Sequence, residues 1–173
     1  MRAVYTIGYE GTAVDALITA LRAAGVRVLA DVRAVPVSRK RGFSKSALAK
    51  RLGEEGITYA HFAELGDPKP GRDAARAGRY ERFHQIYSTH LRKTKAQAAL
   101  RTLAEVAQRA PTCLLCFERH SQHCHRAIVA RSLRGFDVID LHPAVTASTA
   151  RNASEYASRH AREGLAQPEQ EIR

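Results

Sequence analysis

The chain has 173 residues and a mass of 19.1 kDa, a length typical of one domain. Hydrophobic residues make up 45% and charged residues 26%, and no apolar run is long enough to cross a bilayer, so we expect a globular protein with no membrane partner. The N-terminus has neither a long apolar region nor a small-residue cleavage site, so no secretory signal is expected. The three cysteines (Cys113, Cys116 and Cys124) are odd in number and close together, which argues against a disulfide framework and predicts a cytoplasmic protein.

The charge is strongly positive and clustered. Lys and Arg number 28 against 17 Asp and Glu, a formal net charge of +11. Seven basic residues and no acid lie between Arg33 and Arg51. Such a cluster favours an anionic partner, either nucleic acid or a phosphorylated or carboxylated small molecule. The alternative is a solvated basic surface without a ligand.

The apolar periodicity alternates between strand and helix along the chain. The predicted strands are 4–7, 26–32, 57–62, 112–117 and 136–141. The predicted helices are 12–24, 44–52, 80–91, 95–109 and 126–133. Thr12 and Asp15 resemble a capping box at the first helix, and the stretch 64–78, rich in Pro, Gly and charge, is predicted to be a long loop.

This alternation predicts an α/β fold: a single domain with a mainly parallel sheet of about five strands and helices on both faces. We expect residues 1–141 to form the domain. Residues 142–173 are predicted to form a peripheral helix, around 148–163, followed by a mobile tail.

Three unusual segments follow predicted strands and should meet at the carboxyl edge of a parallel sheet, where such folds bind ligands. The residues are Gly8, Tyr9 and Gly11 after the first strand, Asp31 and Arg33 after the second, and Cys116, Glu118, Cys124, His125 and Arg126 after the fourth.

The cysteines within this set leave three possibilities open. Cys113 should be a core thiol, because side chains three residues apart on a strand point to opposite faces. Cys116 and Cys124 can be packed reduced thiols, reactive or ligand-binding thiols, or zinc ligands together with His120, His123 or His125. We predict no cofactor, with zinc as the alternative, and name Cys116, Glu118, Cys124 and His125 as candidate catalytic residues. Glu118 is a candidate general acid or base, or the partner of an arginine in an ion pair.

The remaining candidates bind an anion or shape the site. Arg33, Arg39 and Arg126 are candidate anion-binding residues, the last beside a helix start with free N–H groups. Asp31 either fixes a neighbouring arginine or caps a helix. Gly8 and Gly11 suggest close backbone approach or positive φ, and Tyr9 either touches ligand or covers the sheet end.

This ordered series of motifs resembles the bacterial and archaeal family called domain of unknown function 488. The matching residues are Thr6-Ile7-Gly8-Tyr9 with Gly11, Asp31-Val32-Arg33, Pro36, Ser38-Arg39, Phe43, Leu65-Gly66, Cys116-x-Glu118 and Cys124-His125-Arg126. The resemblance covers roughly residues 4–141. It implies a small cytoplasmic α/β domain, sometimes loosely linked to DNA repair, and it supplies no established reaction. Phe117 and the Arg119-His120 pair depart from the family pattern.

Two classes of function fit the residues. The first is an enzyme or ligand-binding domain that acts on a phosphate-bearing, nucleotide or nucleic-acid substrate through the Cys-x-Glu and Cys-His-Arg motifs. The second is a non-catalytic nucleic-acid-binding module that uses the basic loop 33–51. Strong salt dependence of binding would mark the second class, because phosphate contacts release counterions.

Overall fold

The structure, a computed structural model, describes residues 2–145. Its five strands are β1 (Arg2–Gly8), β2 (Val28–Asp31), β3 (Thr58–His61), β4 (Thr112–Cys116) and β5 (Phe136–Leu141). The six helices are α1 (Val14–Ala23), α2 (Lys45–Gly53), α3 (Lys69–Arg76), α4 (Tyr80–Leu91), α5 (Thr94–Arg109) and α6 (His125–Ser132). Two short 3₁₀ turns cover Ala63–Leu65 and Ser121–His123.

All the strands pair in parallel, in the order β3-β2-β4-β1-β5. The predicted α/β fold with a parallel sheet is therefore confirmed. None of the helices in this part of the chain is long and apolar enough to cross a membrane. The predicted helix at 148–163 and the tail lie outside the described residues.

Side-chain alternation along the strands divides the core into two layers. On β4, Leu114 packs into one apolar cluster, while Cys113 and Leu115 pack into the other. The first cluster is covered by α3–α6 and the second by α1 and α2. The prediction that Cys113 is a core thiol is confirmed, because it is completely buried in the second cluster.

Two local predictions are wrong. Residues 64–78 were expected to be a loop, but they contain α3, which begins directly after Pro68. Pro70 is tolerated because it lies in the first helical turn, where a backbone N–H has no partner to lose. Thr12 does not cap α1, since Ala13 occupies the N-cap position and the Thr12 hydroxyl donates instead to the carbonyl oxygen of Ala144, 3.3 Å away.

The connections create a crevice between β1 and β4. The chain leaves β1 toward α1 on one face of the sheet, whereas it leaves the neighbouring β4 toward α6 on the other face. Two backbone hydrogen bonds, from Tyr9 N–H to the Cys116 carbonyl and from Glu10 N–H to the Phe117 carbonyl, tie the two departing segments together. Ligands in open α/β sheets bind at such a divergence.

Candidate functional site

A cleft of about 760 Å³ opens at the carboxyl ends of β1, β2 and β4. Its floor contains Cys116, Glu118, Cys124 and His125, so the four predicted catalytic residues do come together. Arg33 also lines this cleft. The convergence follows from the parallel topology, because β4 ends at Cys116 and α6 begins at His125 on the same edge of the sheet.

The two cysteine sulfurs share the same polar neighbours. The Cys116 and Cys124 Sγ atoms lie 3.2 and 3.0 Å from Oε2 of Glu118, and both lie 3.8 Å from Nδ1 of His125. Both sulfurs are almost completely buried. Glu118 makes no ion pair with an arginine among the described residues; its carboxyl group instead lies within hydrogen-bond distance of the two cysteine sulfurs.

The imidazole of His125 has a defined orientation. Its Nε2 lies 2.7 Å from the carbonyl oxygen of Val32. A carbonyl only accepts hydrogen bonds, so Nε2 carries a proton. In the neutral ring Nδ1 is then unprotonated, and its lone pair is directed toward the two sulfurs.

The close packing of acids and an imidazole shifts every pKa in the cluster. Burial alone would raise the pKa of the Cys124 thiol, but the hydrogen bond from Cys116 and the charge of His125 hold it well below its usual value. The hydrogen bond to Cys124 and burial raise the pKa of Cys116. Burial and the Cys124 thiolate raise the pKa of Glu118 to about 7. Burial alone would lower the pKa of His125, but the Cys124 thiolate raises it to about 9.

The two cysteines and the histidine of this cluster can together hold a metal ion. One ligand atom from each of Cys116, Cys124 and His125 lies within 4.8 Å of the others. Zinc with Zn–S bonds of about 2.3 Å and Zn–N bonds of about 2.1 Å holds tetrahedral S and N ligands about 3.6 Å apart. The observed sulfur–nitrogen separations of 3.8 Å fit that geometry closely. The contact between Nε2 and Val32 is the backbone anchor that metal-binding histidines commonly have. His120 and His123, also considered from the sequence, line the cleft but do not join this group.

Arg33 and Asp31 form a buried ion pair under the cleft. Nη2 of Arg33 lies 2.6 Å from Oδ2 of Asp31, and its Nη1 donates to the hydroxyl of Tyr9 and to the Phe43 carbonyl. The Tyr59 hydroxyl also donates to Oδ2 of Asp31, at 2.6 Å. Asp31 thus fixes a neighbouring arginine, the first alternative for this residue. Most of the Arg33 donors are occupied by protein acceptors, which leaves few to offer to an anion.

Arg126 lies beneath the cleft rather than in its lining. Its side chain is 1% exposed. The guanidinium donates to the carbonyl oxygens of Glu118 and Arg119 and, through Nε, to the Thr6 hydroxyl 3.3 Å away. Arg126 therefore holds the loop that carries Glu118 in place.

The predicted site-shaping residues have identifiable roles. A Cβ on Gly8 would lie 1.9 Å from the Glu118 carbonyl oxygen, so only glycine allows this loop to approach β1. Gly11 has a φ of 73°, as the positive-φ prediction required. The Tyr9 ring stacks on Phe43 with centroids 4.4 Å apart and forms one wall of the cleft.

The rim carries arginines, of which Arg39 and Arg76 are exposed and Arg72 is half-buried, together with exposed apolar side chains. Arg39 lines the cleft as a candidate anion-binding residue, and two further arginines come from α3, a helix that the sequence interpretation missed. The arginines are Arg39, Arg72 and Arg76; the exposed apolar residues are Val35, Val37 and Phe117.

Asp67 is the second group that the sequence did not single out. It lines the cleft although it is only 5% exposed, and burial raises its pKa to about 6. The preceding Leu65-Gly66 is one of the motifs by which the sequence resembles the family. Nothing in the sequence around Asp67 itself distinguishes it from an ordinary loop aspartate.

Fold and site together define a small parallel α/β domain with a Cys/His/Glu cluster at the strand ends. The chain belongs to the family described as domain of unknown function DUF488, whose model matches residues 13–133. No curated protein and no solved structure shows significant similarity to the chain.

Proposed function

We propose that the chain is a metal-dependent enzyme that acts on an anionic organic substrate in the cleft at the strand ends. The observation that carries the proposal is the convergence of Cys116 Sγ, Cys124 Sγ and Nδ1 of His125 on the floor of an arginine-rimmed cleft.

A bound cation accounts for the unusual composition of this floor. Two buried thiols lie within hydrogen-bond distance of the half-buried Glu118 carboxyl. Burying several ionisable acids together is unfavourable unless they keep their protons or coordinate a cation. Two thiolates and an imidazole are the donor set that suits zinc.

Three protein ligands beside an open cleft are typical of a catalytic metal site, whereas closed four-ligand sites are structural. Bound zinc supplies Lewis acidity and lowers the pKa of a coordinated water. In this arrangement Glu118 holds or moves a proton at Oε2, next to the metal ligands. Cys116, Cys124 and His125 then act as ligands, and Arg126 is a positioning residue for the Glu118 loop.

The substrate is proposed to be an organic anion of the nucleotide or phosphate-ester class. Arg39, Arg72 and Arg76 offer positive charge at the rim. Phe117, 45% exposed at the same rim, offers an aromatic face for an apolar or heterocyclic part. The reduced thiols of the site also support a cytoplasmic location.

The alternative function is a nucleic-acid-binding module. It is favoured by the exposed cations of the basic loop and of α2: Arg39, Arg41, Lys45 and Lys50. Two observations argue against a broad basic face: Arg33 is buried with Asp31, and Arg51 pairs with Glu55 at 2.7 Å. The alternative predicts binding that falls steeply with salt, whereas a small-molecule enzyme depends on salt weakly.

The test is metal content measured together with turnover. Protein purified without a tag and dialysed against excess zinc should retain one zinc per chain. Cys116→Ser, Cys124→Ser and His125→Ala should each lose it, while the matched control Cys113→Ala should not. Cobalt in place of zinc should give the visible absorption of a tetrahedral thiolate site. Mass spectrometry of a phosphorylated-metabolite mixture should show conversion by zinc-loaded wild type and none by Glu118→Gln.

Two results would contradict the proposal. Stoichiometric zinc in the cysteine variants would place the metal elsewhere. Zinc-free protein in which Cys124 is rapidly alkylated would instead point to a reactive thiolate.

A further inference from the structure

A buried carboxylate without a partner faces the proposed active site. Among the described residues, Oδ1 of Asp67 is the one buried side-chain nitrogen or oxygen that has no hydrogen-bond partner. Native structures satisfy nearly all such atoms, so an orphaned carboxylate oxygen calls for a specific explanation.

The surroundings of Asp67 are built to leave room for this carboxylate. A Cβ on Gly71, in the first turn of α3, would lie 2.1 Å from Oδ1, so the glycine is what leaves space for the carboxylate in this position. Arg72 is bound to the same residue but not to its carboxylate, since its Nη1 donates to the backbone carbonyl of Asp67 at 2.5 Å.

The other polar groups near Asp67 are already committed. His125 donates through Nε2 to Val32, and its Nδ1 faces the two sulfurs. The Tyr87 hydroxyl donates to the Leu65 carbonyl at 2.6 Å. Asp67 is also absent from the group of potential metal ligands that lie together. Within residues 2–145, no donor therefore completes Oδ1 of Asp67.

We propose that Asp67 selects the substrate: its carboxylate accepts a hydrogen bond from an N–H group of the substrate. The inference rests on the proposed function, since the same cleft must bind the anionic part. Asp67 and the arginines of α3 line one cleft, so a substrate carrying both an anionic group and a nearby amino or amide N–H would satisfy both. Anions without such a donor would leave the carboxylate desolvated and unpaired, which disfavours their binding.

The binding test uses probes that differ by one amino group. The first pair is O-phosphoethanolamine and ethyl phosphate; the second is adenosine 5′-monophosphate and purine riboside 5′-monophosphate. Calorimetric titration of the full chain should show the amino-bearing member of at least one pair binding about 10- to 100-fold more tightly. This preference should fall to near unity in Asp67→Ala and persist in the control Asp137→Asn, which removes an exposed carboxylate at the far edge of the sheet.

A second measurement needs no ligand. If the carboxylate is unpartnered in the free protein, Asp67→Asn should raise the melting temperature by about 2–4 °C at neutral pH. An unchanged or lowered melting temperature would mean that the carboxylate is not left unpartnered in the free protein, and would overturn the inference.

The outcomes separate the two proposals. Tight binding with a preference indifferent to Asp67→Ala would overturn the role of Asp67 and leave the proposed function standing. Absence of binding by all four probes would overturn both.

Discussion

The contact between Gly8 and the loop after β4 gives the sharpest test of how the fold positions the site. In a Gly8→Ala variant, the new methyl group would lie 1.9 Å from the Glu118 carbonyl oxygen and 2.9 Å from Cα of Arg119. The loop would have to retreat by about 1.5 Å to reach an ordinary contact of 3.4 Å. It cannot do so freely, because the Arg126 guanidinium donates hydrogen bonds to the backbone carbonyls of Glu118 and Arg119.

The expected cost is that of overpacking a constrained site. Forced displacement of this kind destabilises a fold by about 1–3 kcal/mol. For a chain of this length, about 2 kcal/mol corresponds to a fall in melting temperature of roughly 4–8 °C. Because Cys116 and Cys124 flank the displaced loop, zinc affinity should also fall, by about 10- to 100-fold if the loop acts as other outer-shell supports do.

The assay combines thermal unfolding with zinc competition against a chromophoric chelator. Gly53→Ala is the matched control, because a Cβ at Gly53 meets nothing within 4 Å and its φ is not positive. This control should be neutral or slightly stabilising. If Gly8→Ala matches Gly53→Ala in both measurements, the close approach of the loop to β1 is not a requirement of the site and the reasoning fails.

Three further predictions concern the arginines. Arg126→Met should lower the free energy of unfolding by about 2–4 kcal/mol in urea titrations, since it leaves two loop carbonyls without their donor; a loss below about 0.5 kcal/mol would contradict its positioning role. Arg33→Met should cost about 3–5 kcal/mol because it leaves the Asp31 carboxylate buried and unpaired, and the double variant with Asp31→Asn should recover part of that loss; strictly additive losses would argue against the pair. Replacing Arg39 and Arg41 by Ala should flatten the salt dependence of DNA or RNA binding by up to about one unit per phosphate contact, and equal slopes would remove the nucleic-acid alternative for this loop.

The sequence predicted the central strands well because they are largely buried and follow the two-residue period. Every residue of β4 is buried, and successive side chains at Cys113, Leu114 and Leu115 alternate between the two core clusters, as side chains on a strand do. Helix α3 was missed because Pro70 and Gly71 favour a loop in isolation. Tertiary contacts decide otherwise, since Ala74 of this helix is buried in the first core cluster.

The site was predictable where chain topology alone determines position. Cys116 ends β4 and Cys124 precedes α6, so a parallel sheet brings them to the same edge. The partners of Arg33 and Arg126 were not predictable, because they depend on acceptors from distant segments. The orphaned oxygen of Asp67 is likewise a property of the packed structure, and no local pattern encodes it.

X-ray absorption spectroscopy of the zinc-loaded protein tests the central claim most directly, because it counts the atoms bound to the metal. The account predicts one zinc per chain with two sulfur neighbours at about 2.3 Å and the remaining nitrogen or oxygen neighbours at about 2.0–2.1 Å. Cys124→Ser should remove one sulfur from this shell or abolish binding, and Cys113→Ala should leave the spectrum unchanged. Two results would contradict the assignment of Cys116, Cys124 and His125 as the metal site: a shell of nitrogen and oxygen alone, or a loss of sulfur neighbours in Cys113→Ala.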